Sequence, residues 1–328
     1  MEKKLGKKWF QRMIKVIVIG LVMVVVWYGQ ARLFKVSRAV EVVQLRESGR
    51  VPESGELTVA CYNIAHARGP EIGADNWNSE ERKTPIAHLR AIAVQIAESQ
   101  ASIVVLNEVD FNAEWSDGID QAEIIAAEAS FPFVIKQRNF DVTLPFFTLQ
   151  FGNAILSKYP VSDARFLKFP ARSQKEDIFA GNHDGLVATL QLSSGPLRVV
   201  AVHLEYRDEA ARVGAANVLT ALVSEDPGQP LIAMGDFNTA PSGFPGHSSD
   251  DTGDNAIALL QSEAGMKTIM PGEPLAVNDL TYPSTQPARI IDWILVSPGL
   301  TLMERRTIAS ELSDHRMVVG TISRRGDF

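Results

Sequence analysis

Several apolar runs of this chain end in a polar residue, and this pattern constrains its fold more than any other feature. The clearest example is the segment Leu231-Ile-Ala-Met-Gly-Asp-Phe-Asn238, a strand-like run that leads directly to Asp236 and Asn238. Side chains two apart on a strand share one face, so both polar groups are expected to point at one site. Polar residues that follow strand ends often line the active sites of sheet proteins.

Other apolar runs predict an alternation of strands and helices. Residues 57–64 and 102–107 are nearly continuous apolar runs, as expected of strands that are covered on both faces. Between them, apolar residues at helical spacing after Thr84-Pro85 predict a helix. More short strands and a helix over 208–223 follow. Because strands outnumber helices in a mixed order, we predict an α+β protein with two packed sheets and helices outside them.

The N-terminus has the composition of a membrane anchor or a signal peptide. Residues 1–15 form a basic flank that is expected to stay in the cytoplasm, and residues 16–34 form a mainly apolar segment. Gly29-Gln30-Ala31 resembles a cleavage site, so anchor and signal peptide both remain open. Either reading places the rest of the chain outside the cytoplasm. It is held at the membrane through residues 16–34 in the first case and secreted in the second.

Composition sets further limits on the 328-residue chain. Residues 35–56 mix charges with Ser-Gly and Pro and are predicted to be a linker, with one folded domain over 57–328. The net charge of −7 gives no sign of a dedicated nucleic-acid binder, although metal ions can hold a phosphodiester on an acidic enzyme. Cys61 is the only cysteine, which excludes an internal disulfide. Its apolar neighbours favour a buried thiol.

Two segments carry side chains suited to a metal site and to proton transfer. Glu108 follows an apolar run, where an ionised carboxylate needs solvent, a partner or a cation. Mg²⁺ uses few protein carboxylates and keeps water and phosphate as its other ligands. Asp314 is suited to the same metal set. His315 is suited to proton transfer, with Asp292 as the carboxylate that fixes its tautomer.

Further candidates are weaker when they are taken singly. His203 ends the run 197–202 and is a possible acid or phosphate ligand, and Asn63 can orient a carboxylate or bind a phosphate oxygen. In isolation, an ordinary turn accounts equally well for Asp236 and Asn238, and a solvated strand end is the alternative for Glu108. The remaining histidines are ranked lower still: His66, His88, His183 and His247.

Seven segments taken in order resemble the endonuclease/exonuclease/phosphatase superfamily, the metal-dependent phosphoesterases that include deoxyribonuclease I. They are Tyr62-Asn-Ile64, Leu106-Asn-Glu108, Gly152-Asn-Ala-Ile-Leu-Ser-Lys-Tyr-Pro160, Val202-His-Leu204, Gly235-Asp-Phe-Asn238, Ile291-Asp-Trp293 and Ser313-Asp-His315. The resemblance implies a deoxyribonuclease I-like, four-layer α/β/β/α sandwich with the active site at one end of the paired sheets. It also implies Mg²⁺, or else Mn²⁺ or Ca²⁺, with Glu108 as principal ligand and Asp314 and Asn63 near the metal.

The same resemblance implies roles for five residues in the hydrolysis of a phosphoester. Asp236 and Asn238 would position the attacking water and bind the scissile phosphate. His315, paired with Asp292, would bind or protonate a phosphate oxygen. His203 resembles the histidine that deoxyribonuclease I and sphingomyelinase relatives carry in that strand. The implied reaction is in-line attack by water, aided by metal neutralisation of the developing charge.

Departures from two family patterns argue against the activities of abasic-site endonucleases and inositol 5-phosphatases. Ala65-His66 stands where abasic-site endonucleases usually carry an acidic residue, and Ala288-Arg-Ile-Ile-Asp292 lacks the signature of inositol 5-phosphatases. A phosphodiesterase or phosphatase that acts on nucleic acid or on a phospholipid headgroup remains, with no obligate protein partner evident. The alternative is a catalytically silent, membrane-anchored module that binds phosphorylated ligands.

Overall fold

The computed structural model describes residues 2–33, 40–47, 55–71, 86–144, 147–172, 183–272 and 274–324. The helices are α1 Glu2–Leu33, α2 Ile86–Glu98, α3 Gln121–Glu128, α4 Glu209–Glu225 and α5 Ala256–Ser262. The strands are β1 Val40–Gln44, β2 Glu56–Asn63, β3 Ile103–Ala113, β4 Phe133–Leu144, β5 Phe147–Ser157, β6 Val161–Leu167, β7 Gly185–Leu192, β8 Gly195–His203, β9 Leu231–Asp236, β10 Asp292–Val296, β11 Leu300–Ile308 and β12 Met317–Arg324.

The strands form two sheets that pack face to face between layers of helices. Seven strands lie in the order β1-β4-β5-β3-β2-β12-β11, and five lie in the order β10-β9-β8-β7-β6. Alternate side chains of β2 serve different cores: Val59 and Cys61 pack between the sheets, and Ala60 and Tyr62 pack beneath α2 and α3. Helices α4 and α5 cover the other sheet. The predicted α/β/β/α sandwich is therefore confirmed.

Strand direction gathers the polar residues at one end of this sandwich. β2 pairs in parallel with β3, and β8 pairs in parallel with β9, so their carboxyl ends lie at the same edge. β10 and β12 run antiparallel to these strands, so they contribute their starting residues to that edge. Residues that are far apart in sequence meet there because each stands at the appropriate end of its strand.

Strand β1 corrects the prediction of a linker over residues 35–56. It forms the edge of the seven-stranded sheet, antiparallel to β4. Its Glu41 accepts a hydrogen bond from Arg138 Nη2 at 2.8 Å and lies 3.3 Å from Lys136 Nζ. The strand is only five residues long, and charge pairs with β4 help to hold it in place. Apolar periodicity in the sequence therefore gives little sign of it. The fold therefore begins upstream of Leu57.

The predicted helices agree with the structure where it describes them. α4 matches the helix predicted over 208–223, and the Asp208 carboxylate caps it by accepting a hydrogen bond from Ala210 N at 3.0 Å. The proposed cap Thr84-Pro85 lies outside the described residues. α1 contains a 20-residue apolar stretch, Lys8–Trp27, that has the length and composition to cross a membrane. An anchor and a signal sequence both have this property.

Cys61 provides a test of the packing between the sheets. Its side chain is fully buried, its Sγ lies 3.7 Å from the carbonyl oxygen of Trp293, and burial raises the pKa of its thiol. We expect Ellman's reagent to leave the native protein unmodified and to titrate one thiol per chain after unfolding in guanidinium. Rapid stoichiometric reaction of the native protein would contradict this packing.

Candidate active site

A cleft of about 430 Å³ opens at the end of the sandwich where these strand ends meet. Six of the residues predicted from the sequence line it: Glu108, His203, Asp236, Asn238, Asp314 and His315. The other two, Asn63 and Asp292, are buried directly behind this lining and hydrogen-bond to it. The structure therefore brings all eight predicted residues into one neighbourhood.

Glu108 enters the cleft from a β-bulge. The sequence predicted that the strand ends at this residue, whereas β3 continues to Ala113. Between Leu106 and Val109 the strand takes three residue steps against two on β5, and Glu108 has a φ of 53°. A bulge with left-handed backbone redirects a side chain without ending the sheet. This geometry places the carboxylate in the cleft.

Asn63 links two carboxylates of the site. Its Nδ2 donates to Glu108 Oε1 at 3.0 Å and to Asp236 Oδ2 at 3.3 Å. Its Oδ1 accepts a hydrogen bond from Ala65 N at 3.0 Å. An amide nitrogen does not coordinate a cation, so Asn63 orients the two carboxylates in this arrangement. The oxygen donors of the predicted metal set are then Glu108 and Asp314.

His315 and Asp292 form a buried pair. Nδ1 of the imidazole lies 3.0 Å from Asp292 Oδ2, and the ring of Tyr282 lies 4.7 Å from the imidazole ring. Burial lowers the pKa of His315, but the carboxylates of Asp292 and Asp236 outweigh burial and raise the pKa to about 10. Imidazolium is therefore the stable form of His315 at neutral pH. Its Nε2 lies on the side of Asp236, which also lines the cleft.

Asp236 lies where the charges of the site converge. Its Oδ2 is 3.7 Å from His315 Nε2 and 3.8 Å from His203 Nε2. Burial raises the pKa of Asp236, and repulsion by Asp292 and Glu108 adds to this effect, giving about 7 despite the attraction of His315. The raised pKa shows that the attraction of His315 does not fully offset burial and the repulsion between the carboxylates of the site.

His203 has the opposite character to His315. Burial lowers the pKa of His203 to about 4, with Glu108 opposing this shift and the neighbouring His183 and His315 reinforcing it. Its Nε2 is 3.7 Å from Glu108 Oε1. Asp236 therefore lies between His203, a neutral imidazole, and His315, an imidazolium. His315 carries a proton that it can donate, whereas neutral His203 has one ring nitrogen free to accept a proton.

The segment that follows β9 differs in detail from the sequence prediction. Strand alternation was expected to direct Asp236 and Asn238 to one face, but β9 ends at Asp236 and Asn238 has a φ of 54°. A turn therefore brings Asn238 to the cleft. Its backbone N–H donates to Asp236 Oδ1 at 2.8 Å, and its Nδ2 donates to the carbonyl oxygen of Leu204 at 2.9 Å.

Sequence reasoning undervalued several supporting residues. His66, ranked low, donates from Nδ1 to Asp110 Oδ1 at 2.7 Å, and its Nε2 lies 3.6 Å from Glu108 Oε2. Asn107 joins the two sheets, since its Oδ1 accepts from Asp236 N at 3.1 Å. Asn107 stands inside an apolar strand run, and an amide in such a position indicates a buried hydrogen-bond partner.

Two sets of side chains in this cleft could hold a cation. Asp236, Asp292 and His315 have ligand atoms that lie within 4.8 Å of one another. The set predicted from the sequence is instead Glu108, Asp314 and Asn63, of which Glu108 and Asp314 line the cleft. Burial and repulsion by Glu108 raise the pKa of Asp314, although His315 opposes them. A hard divalent cation fits this oxygen-rich and negatively charged group of donors.

Comparisons with known proteins agree with this architecture. The model of the Endonuclease/Exonuclease/phosphatase family matches residues 62–315. An endonuclease/exonuclease/phosphatase structure from Bacteroides vulgatus is 18% identical, with 82% of this chain and 99% of that chain covered and a TM-score of 0.59. The human Nocturnin catalytic domain with bound sulfate is also 18% identical, with 87% and 97% covered and a TM-score of 0.57.

A third structural neighbour is D. rerio TDP2 complexed with a single-strand DNA product. It is 16% identical, with 83% of this chain and 100% of that chain covered and a TM-score of 0.57. At these identities the structures show a shared fold. The search of curated proteins found no significant match.

The Asp292–His315 pair leads to a testable titration. Asp292→Asn removes the largest influence that raises the pKa of His315, so this pKa should fall from about 10 toward the ordinary value of 6.5. His315 would then lose its proton as the pH rises through neutrality, whereas the wild-type residue keeps it. NMR titration of the histidine ring signals measures this change. An unaltered His315 titration in the variant would contradict the pairing.

Gly235 is required by the close approach of two strands. A Cβ at this position would lie 2.0 Å from Val202 O and 2.9 Å from Asn107 Oδ1, and φ is +138°. We expect Gly235→Ala to lower the free energy of unfolding by about 3 kcal/mol in urea titrations. Gly228→Ala is the control, since a Cβ there meets only Asp226 Oδ1 at 3.5 Å. Equal stability of the two variants would refute this requirement.

Proposed function

The chain belongs to the endonuclease/exonuclease/phosphatase family, and on that premise we propose that it is a Mg²⁺-dependent hydrolase of phosphoester bonds that acts outside the cytoplasm. Enzymes of this family are phosphoesterases. The observation that carries the metal-dependent mechanism is the convergence of Glu108, Asp236 and the Asp292–His315 pair on one cleft. Mn²⁺ and Ca²⁺ are the alternative cations.

Glu108 and Asp314 are the proposed cation ligands. The Glu108 carboxylate is about one third exposed, at 32%, and faces the cleft from its bulge. Asp292 and His315 are already hydrogen-bonded to each other at 3.0 Å. We therefore favour Glu108 and Asp314 as cation ligands over the group of Asp236, Asp292 and His315. A divalent cation bound there would supply neutralisation of the charge that develops on phosphate oxygens. Asn63 holds the Glu108 carboxylate in position.

Asp236 and His315 are proposed to act on the water and the phosphate. Asp236 lies between His203 and His315, so its carboxylate can orient a water molecule for in-line attack while Asn238 contacts the scissile phosphate. The His315 imidazolium can donate a hydrogen bond to a phosphate oxygen, and Asp292 fixes its ring orientation. His203, as a neutral imidazole, is placed to hydrogen-bond an oxygen on the other side of Asp236.

The proposed substrate is a phosphoester of nucleic acid or of a phospholipid headgroup. The N-terminal apolar helix supports action outside the cytoplasm, either at the membrane or after secretion. The cleft also contains aromatic side chains, Tyr206, Tyr282 and Phe151, which can contact the organic part of either substrate. The shared chemistry is attack by water on phosphorus with departure of an alcohol.

Substitution of Glu108 tests the metal-dependent mechanism. Glu108→Gln keeps the size of the side chain and removes its charge, so we expect turnover of bis(p-nitrophenyl) phosphate to fall by about 10²–10³-fold. EDTA should abolish the wild-type activity, and Mg²⁺ should restore it. Release of p-nitrophenol measures the rate.

Two controls separate catalysis from folding. Glu98→Gln, at an exposed position on α2, should retain full activity. The urea unfolding midpoint of Glu108→Gln should stay near that of the wild type. Undiminished, EDTA-resistant turnover in Glu108→Gln would exclude the proposed role. Phosphate binding without any wild-type turnover would indicate the catalytically silent module instead.

A further inference from the structure

The chain enters the folded domain at the end that bears the cleft. Val40, the first residue of β1, pairs with Gln137 of β4, and β1 runs from there away from the cleft. Gln137 stands two residues before Asn139, which lines the cleft. Two residues of strand span about 7 Å. The entry point therefore lies beside the rim of the active site.

The connection from α1 to this entry point is short. α1 ends at Leu33 and β1 begins at Val40, so seven Cα–Cα steps separate them. Such a segment spans at most about 25 Å. A compact domain of about 270 residues has a radius of gyration of about 18 Å and hence a diameter of about 45 Å. This connection, residues 34–39, is called the tether below. It is too short to pass around the domain to the end opposite the cleft.

Charge pairs fix the start of β1 to the body of the domain. Glu41 contacts both Arg138 and Lys136 of β4. Lys136 Nζ is buried and also bonds to Asp120 at 2.9 Å and Glu123 at 2.8 Å. Because removal of one partner from a buried ionic group is costly, β1 is held at this position. Fraying of β1 would be needed to lengthen the tether.

A second contact, independent of tether length, supports the same orientation. The indole N–H of Trp27, at the end of the apolar stretch of α1, donates to the carbonyl oxygen of Thr143 at 2.5 Å. Thr143 lies on β4 beyond Asn139, one residue before the end of that strand, and Phe151 of β5 lines the cleft. Tryptophan at the end of an apolar helix marks the membrane interface.

We propose that the cleft faces the membrane that holds α1, and that the enzyme hydrolyses phosphodiesters in the headgroups of that membrane's lipids. This inference rests on the proposed function and on retention of α1 as an anchor. A P–O bond forms to the oxygen of water, and the P–O bond to the departing alcohol breaks. The proton lost by the water balances the proton taken up by the alcohol. No other reactant is needed.

Energy transfer to the bilayer measures the orientation directly. The full chain is reconstituted in phosphatidylcholine and phosphatidylglycerol vesicles that contain an acceptor-labelled lipid. Donor dye is placed at Tyr206→Cys on the cleft rim or at Ser194→Cys before β8, about 26 Å away along that strand. Both native positions are exposed, and buried Cys61 stays unlabelled. We expect more efficient transfer from position 206. Equal or weaker transfer from 206 would overturn the inference.

Lengthening the tether tests whether this orientation serves lipid turnover. A flexible Gly-Ser insert of about 40 residues after Ser37 lets the domain rotate away from the surface. We expect turnover of vesicle phosphatidylcholine and phosphatidylglycerol to fall about fivefold, with turnover of soluble bis(p-nitrophenyl) phosphate unchanged. Wild-type cleavage of a single-stranded oligonucleotide but not of the lipids would overturn the inference, as would removal of α1 from the mature chain.

The same assays distinguish failure of the two proposals. If the wild-type chain turned over neither lipid nor bis(p-nitrophenyl) phosphate, the proposed function would fail. If the soluble substrate were hydrolysed and the lipid rate did not respond to the insert, the proposed function would stand and the membrane-facing cleft would be rejected.

Discussion

Burial of like charges at one end of the sandwich is the constraint on which the site depends. Asp236 and Asp292 are almost completely buried, and Glu108 lies beside them. Desolvation of several carboxylates is unfavourable unless hydrogen-bond donors or cations compensate them. The chain supplies His315 as an imidazolium and Asn63 as a shared amide donor. The remaining negative charge makes the cleft suited to a divalent cation and, through it, to an anionic phosphoester.

The backbone conformation that creates this cluster depends on a few positions. Glu108 leaves the regular pleat at a bulge with a φ of 53°, and Asn238 adopts a similar left-handed conformation after β9. Gly235 allows β9 to approach Val202 on β8 closely. These local departures from ideal sheet geometry cost stability. The packed cores on both faces of each sheet compensate for them and keep the cleft side chains in place.

Much of the fold could be predicted because buried strands in this chain carry continuous apolar runs. The ordered segments around Asn63, Glu108, Asp236 and His315 also made the family recognisable. Strand β1 could not be predicted, because five residues with a charged member give little periodic signal. The bulge at Glu108 and the His66–Asp110 contact could not be predicted from the sequence, because they depend on backbone torsion angles and tertiary pairing.

Glu108 and Asp314 are proposed to hold the catalytic cation, with the Asp292–His315 pair beside it. Anomalous diffraction from crystals soaked with Mn²⁺ tests this claim most directly. We expect one anomalous peak within coordination distance of carboxylate oxygens of Glu108 and Asp314, with the His315–Asp292 hydrogen bond intact. A peak held by Asp236, Asp292 and His315 without Glu108, or no peak in the cleft, would contradict it.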